Sequence, residues 1–348
     1  MFVVVAEAKD IAYHICSSWT KVIIVFRCVH HASLQLSPVV PKWIGFLLRC
    51  RCNRLLRHWN DKMRQSSLLV LHPSRFHQVL IPGCLRLMNR KRNNVKIPLA
   101  VKICIMDALR STSSEGLSKG LTSLSQDGGS LLWACNNSKD TSDTILVWHI
   151  ATTILEARHL HHQHDDPSRQ TPQDGRPSSV SVSDMKTAAT HLSRYCAYLV
   201  ASCPELLPDG DAWSKDLYNE VKKDAERALF AEGSAGVSSM TPEAAYQKVV
   251  ELLGATQNHE VLKDAAKLAE QLGEVAGGEE MAWELLVGFW SEMILYLAPP
   301  DNLKGHLQAI DRGGELITLL WALLTHVGIV DRPDDTAADA ASAPATRV

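Results

Sequence analysis

From residue 143 to residue 327 the apolar side chains recur at every third or fourth position, the period of a helix with one face turned to a core. Ile145, Trp148, Thr152 and Leu155 line one side of a segment ending at His159, with Asp143 placed to cap it. Ser183 opens a second segment, in which Met185, Ala188, Ala189, Leu192, Cys196 and Leu199 share a face. Thr241 and Pro242 begin a third, because proline has no N–H to lose in a first turn and its φ is already helical; Gly254 closes it. Asn258 is placed to cap a fourth, with Val261, Leu262, Ala265, Leu268, Leu272 and Val275 turned inward until Gly277 and Gly278. Residues 279–297 and 315–327 are apolar nearly all round, which predicts helices buried on every side. Strand signals are confined to short runs such as 67–71. The resulting class is mainly α: a helical C-terminal bundle preceded by a basic, partly irregular helical region.

Charge divides the chain more sharply than hydropathy does. Residues 1–110 carry 18 Lys and Arg against 4 Asp and Glu, a balance of +14, and the remaining residues carry 18 against 34, a balance of -16. A basic half rich in Trp, Leu and Cys suits an anionic surface, either an inner membrane leaflet or nucleic acid. Polar composition marks a linker at 111–143, a second break at 161–183, a third at 232–240 and a tail at 331–348 that is expected to be disordered. The acidic helical region is therefore placed at 144–330. With 348 residues, 46 % of them hydrophobic, the chain has material for one large core or two ordinary ones.

The nine cysteines lack the even, regular spacing of a secreted disulfide framework, so a reducing compartment is expected. A membrane-spanning helix needs about 20 apolar residues in succession. The longest stretch free of Asp, Glu, Lys and Arg is the fifteen residues 316–330. The opening residues have neither the basic start nor the long apolar core of a signal peptide.

Residues 41–64 are the most informative stretch for physical behaviour. As a helix they align Ile44, Leu47, Leu48, Cys52, Leu55, Trp59 and Met63, and place Lys42, Arg49, Arg51, Arg54, Arg57 and Arg64 mostly elsewhere round the axis. Such a segment lies in a membrane interface or docks in a partner's groove; the plainer alternative is a core-facing helix whose arginines meet water. The residues placed to make the contact are Lys42, Trp43, Arg49, Arg51, Arg54, Arg57 and Trp59, with Cys50 and Cys52 available for palmitoylation. The cluster at 89–94, Asn-Arg-Lys-Arg-Asn-Asn, adds phosphate-binding potential without any motif that reads a base.

No arrangement of side chains specifies a reaction or implies a cofactor. His159, His161, His162 and His164 sit beside Asp165 and Asp166, but they lead into a Pro-containing break that holds no fixed coordination geometry. Cys28, His30, His31, Cys50 and Cys52 lack zinc-site spacing. Gly116-Leu117-Ser118-Lys119-Gly120 has the letters of a nucleophile elbow but not its strand-turn-helix context. His149 reads as a satisfied core histidine. Glu284 and Glu292 are eight residues apart on one helix, about 12 Å, too far to share a proton.

Several of these stretches resemble a family of uncharacterised plant proteins that pair an N-terminal domain of unknown function 4220 with a C-terminal domain of unknown function 594. The resemblance lies in Val5-Ala6-Glu7-Ala8-Lys9-Asp10-Ile11-Ala12, Ser18-Trp19-Thr20-Lys21-Val22, Ile145-Leu146-Val147-Trp148-His149-Ile150-Ala151-Thr152 and Leu192-Ser193-Arg194-Tyr195-Cys196-Ala197-Tyr198-Leu199. It continues through Pro204-Glu205-Leu206-Leu207-Pro208 and Gly313-Gly314-Glu315-Leu316-Ile317-Thr318-Leu319-Leu320-Trp321. It implies a land-plant protein, of a grass, with membrane helices ahead of a cytoplasmic helical region and the second domain at about residues 275–330. Relative to that pattern the chain is expected to begin within the N-terminal region, downstream of those helices, as a truncated form or a shortened paralogue. No catalytic residue is carried over.

The leading expectation is a non-enzymatic interaction or scaffold protein at the cytoplasmic face of a membrane, with an anionic surface or a protein as partner. Two alternatives stay open. One is an enzyme with an enclosed polar pocket in the helical domain, gathering residues such as His149, Glu284 or Arg194. The other is nucleic-acid binding through the basic region.

Overall fold

The computed structural model describes residues 62–69, 94–127, 129–136, 140–159, 181–209, 211–230, 242–256, 259–299, 303–311, 314–329 and 332. These fall into two compact units: residues from Arg64 to Leu297 together with Arg332, and Lys62, Met63 and residues from Ala298 to Ile329. Among the described residues are eleven α-helices and two three-residue strands, β1 (Lys62–Arg64) and β2 (Asn94–Lys96), so the fold is mainly α. The run at 67–69 that read as a strand is irregular.

In chain order the helices of the larger unit are α1 (Leu99–Glu115), α2 (Leu121–Asp127), α3 (Trp133–Asn136), α4 (Thr141–His159) and α5 (Val182–Ser202). They continue as α6 (Asp211–Phe230), α7 (Pro242–Gly254), α8 (Glu260–Gly273) and α9 (Gly278–Leu297). Helix α4 packs against α5 and α8, α5 against α1 and α9, and α7 closes over α4 and α8. Local chemistry sets several boundaries. The Ser181 hydroxyl accepts the Asp184 N–H and caps α5 two residues ahead of the expected start. Helix α8 begins after His259 and ends at Gly273, with a turn before α9.

Aromatic packing fixes the centre. The Trp148 and Phe289 rings stack with centroids 3.8 Å apart at 14°, and Trp290 meets Phe289 edge-on at 5.0 Å. Trp290 donates its indole N–H to Thr152 Oγ1 at 3.1 Å, and the Thr152 hydroxyl donates to the Trp148 carbonyl at 2.7 Å. All three rings are fully buried. Each buried aromatic stabilises by roughly 1.5–3 kcal/mol, with about 0.5–1.5 kcal/mol more per well-placed pair.

The expected linker at 111–143 is instead part of this body. Its serines and threonines bring few apolar residues, yet Leu117, Leu124, Leu131, Ala134 and Cys135 are buried and α2 lies on α9. Gly288 permits that approach, because a Cβ there would meet the Ser123 hydroxyl.

The end of the basic region is also fixed in place. The expected helix over 41–64 does not reach its end: Lys62–Arg64 is a strand, and Met63, placed on the helix's apolar face, is buried within it. Arg64 donates to Tyr198 Oη at 2.9 Å, and the Ser66 N–H donates to the Arg194 carbonyl at 3.0 Å. Leu68 and Leu69 are buried. A chain whose polar backbone atoms find partners on neighbouring helices can be buried without regular structure of its own.

In the smaller unit α10 (Leu303–Asp311) pairs with α11 (Leu316–His326). The buried His306 ring contacts Thr318 Oγ1 at 3.2 Å and lies 5.1 Å from the Trp321 ring. Complete burial, expected of both apolar helices, holds for most of α9 from Ala282 onward but not for α11. Leu316, Ile317, Leu320 and Leu324 are buried, whereas Leu323 and the adjoining Val327 are exposed, as are Leu303 and Leu307. A short pair of helices has too little facing surface to cover every apolar side of α11. Of the expected tail only Arg332 is described; its guanidinium donates to the Tyr296 carbonyl at 2.8 Å.

Candidate functional site

The residues that the sequence singles out for membrane or partner contact, Lys42, Trp43, Arg49, Arg51, Arg54, Arg57 and Trp59, lie outside the described residues. So do His161, His162, His164 and the Cys28, His30, His31, Cys50 and Cys52 set. Among the described residues no group of three His, Cys, Asp or Glu side chains is arranged to hold a metal. The polar clusters that are described mostly tie helices to one another.

The clearest of them is built on Glu292. Its carboxylate, on α9, accepts from the Thr122 N–H at 3.2 Å, the Ser123 N–H at 2.8 Å and the hydroxyls of Ser118 and Ser123. It thereby satisfies the free N–H groups at the start of α2 and places negative charge at that helix's positive end. Ser118, the candidate nucleophile of the Gly-x-Ser-x-Gly letters, is a member of this clamp. Gly120, at φ +80°, lays its backbone flat on the Phe289 ring. Glu284 lies exposed on the same helix, far from this cluster's partners. Asp209 does for α4 what Glu292 does for α2, accepting from the Thr141 N–H at 3.2 Å and the Ser142 N–H at 2.5 Å. The expected Asp143 cap is one turn further in, within the helix.

His149 sits fully buried on α4. Its Nε2 accepts the Leu68 N–H at 3.1 Å, so Nδ1 carries the proton and donates to Ser193 Oγ at 2.9 Å. Burial, aided by the Arg194 charge, pushes its pKa down to about 3. The ring is a neutral tie between α4, α5 and the 64–69 segment, as a satisfied core histidine should be. Arg194 pairs with Glu156 at 2.6 Å. His149, Glu284 and Arg194 thus face different partners instead of one pocket.

Arg158 joins three helices by donating to Glu243 at 2.9 Å and to the Gly273 carbonyl at 3.3 Å, with its guanidinium 4.6 Å from the Tyr246 ring centroid. Tyr246 donates to the Ala269 carbonyl at 2.8 Å. The described cysteines 104, 135, 196 and 203 are buried free thiols. Burial pushes the Cys135 thiol up to about 12 and the Cys196 thiol upward, so neither offers a reactive thiolate.

An open cleft of about 270 Å³ runs between α6 and the end of α7, lined by Asp224, Arg227, Ala228, Leu252, Ala255 and Thr256. Asp224 is buried and already paired with Arg227, and His259 Nε2 lies 3.4 Å from its carboxylate. A carboxylate so engaged is a tie between α6 and the start of α8.

The surface is more distinctive than the interior. Helix α1 turns Ala100, Val101, Cys104 and Ile105 inward, yet leaves Leu99, Ile103 and Met106 exposed at 72 %, 41 % and 44 %. Lys96 and Lys102 are exposed alongside, and Arg110, paired with Asp107 at 2.7 Å, continues the row. The sequence carries this signal only in part, because Leu99, Ile103 and Met106 sit at helical spacing within a segment apolar on both sides.

The chain is a helical protein whose polar ties serve its architecture, and no described helix is long and apolar enough to cross a membrane. Residues 276–329, which comprise α9, α10 and α11, match the family described as "Protein of unknown function, DUF594". This supports the C-terminal part of the resemblance read from the sequence. No curated protein and no solved structure matches the chain.

Proposed function

We propose that this is a non-enzymatic adapter that works at the cytoplasmic face of a membrane, with the basic region meeting anionic lipid and the helical body serving a protein partner. The observation that carries this reading is the division of charge, +14 over residues 1–110 against -16 over the rest. Lys and Arg near an anionic leaflet contribute about 1 kcal/mol each, so a strongly basic region is drawn to the surface while an acidic body is held off it. The wider resemblance to a land-plant family with membrane helices and a 4220 domain agrees with the same placement, since positive charge collects on the cytoplasmic side of such helices. The exposed Leu303, Leu307, Leu323 and Val327 in the segment matching the 594 family are suited to a protein contact.

Flotation of the purified full chain with vesicles tests the reading. We expect it to rise with phosphatidylcholine vesicles containing a third phosphatidylserine, to stay behind with phosphatidylcholine alone, and to be released by high salt. Binding indifferent to lipid charge contradicts it. Retention on RNA without retention on vesicles favours the nucleic-acid reading instead.

A further inference from the structure

We infer that the outer face of α1 is a second lipid contact, one that lays Leu99, Ile103 and Met106 into an anionic membrane interface with Lys96 and Lys102 at the level of the phosphates. The inference rests on the membrane reading above but places the contact on a different part of the chain, separated from residues 41–64.

The geometry is that of a helix held on one side only. Val101, Cys104 and Ile105 are almost wholly buried toward α5 and α9, which orients α1 firmly. Leu99, Ile103 and Met106 are separated by four and three residues, so they project in a line from the opposite side. Ordinary surface helices put charged side chains in such a line and keep apolar ones for the core. Here the outward line is apolar and cations flank it. Residues 89–110 hold six Lys and Arg against one Asp, so the strip has the charge that complements phosphatidylserine headgroups. An interfacial helix needs apolar residues of this kind to enter the acyl boundary and cations at its edges.

Other occupants fit less well. A second copy docked symmetrically would set Lys102 and Arg110 near their own counterparts. Single-stranded nucleic acid would satisfy the cations but find no aromatic ring on this face to stack upon.

The test uses the full chain and the triple variant Leu99→Ser/Ile103→Ser/Met106→Ser, with vesicles of phosphatidylcholine and phosphatidylserine. Because all three side chains are exposed, the variant should keep the parent's urea midpoint. We expect its vesicle affinity to fall at least tenfold, while Ile103→Trp, which supplies an interface-seeking ring at the same place, binds at least as tightly as the parent. A parent that floats with anionic vesicles while the triple variant floats equally well overturns this inference and leaves the membrane reading standing. A parent that does not float at all overturns both. Should the triple variant lose a co-purifying protein instead of lipid, the face is a protein interface and the inference is wrong.

Discussion

Replacing Gly120 by alanine is expected to destabilise the larger unit by about 3–5 kcal/mol, a large share of the stability of an ordinary domain. Two costs combine. The residue sits at φ +80°, where a Cβ costs roughly 1–2 kcal/mol. That Cβ would also overlap the Phe289 ring, which is fully buried and stacked on Trp148, so it has no free direction in which to move. Overpacking a tight core of this kind costs about 1–3 kcal/mol more. Gly116 supplies the control, with φ +85° and open space where its Cβ would lie. Urea unfolding should show Gly116→Ala losing only the backbone part. Equal losses for the two variants contradict the view that Gly120 is retained for contact with the aromatic stack.

The second large effect is acid sensitivity at His149. In the unfolded chain the imidazole titrates near 6.5, and in the fold burial holds its pKa down to about 3. Between those values the unfolded chain binds a proton that the folded chain refuses, so stability falls as the pH falls. The contribution is complete above pH 6.5, and about 2–3 kcal/mol of it should be gone by pH 4.5. His149→Gln keeps an acceptor for the Leu68 N–H and a donor for Ser193 but does not titrate. Comparing urea unfolding at pH 7 and pH 4.5, we expect the variant to lose markedly less stability on acidification than the parent. An identical loss in both would mean that the charged imidazole is tolerated in the core and that the tie to Leu68 and Ser193 is not what holds it neutral.

Much of the helical body is legible in the sequence because burial imposes a period. Helices α4, α5, α7 and α9 carry apolar residues at helical spacing and begin or end within a few residues of their expected bounds. Helix α6 escapes that reading, since only Leu217, Tyr218, Val221 and Ala225 of its apolar residues are buried among many charged ones. Helices α2 and α3 escape it for another reason. Their stretch is Ser-rich and reads as a linker, and what holds α2 is a carboxylate some 170 residues away in the chain. Partners at that separation leave no local trace. The same holds for Asp209, which caps α4 from beyond α5.

The polar residues that looked like candidate chemistry show how a local pattern differs from a site. Ser118 has a nucleophile's spacing but hydrogen-bonds a helix-capping carboxylate, and His149 has a catalytic residue's identity but both its nitrogens are engaged in the core. The outer face of α1 was hidden in the opposite way. Its residues look like core until the packing shows that only one side of the helix has neighbours among the other helices.

The account's central claim is that the cations of the basic region drive association with an anionic surface. The most direct measurement is vesicle affinity for the full chain in which Lys42, Arg49, Arg51, Arg54 and Arg57 are all replaced by Gln. At about 1 kcal/mol for each cation near the surface, partly offset by those that remain, the affinity for phosphatidylserine-containing vesicles should fall at least thirtyfold. Affinity unchanged by the five replacements contradicts the claim.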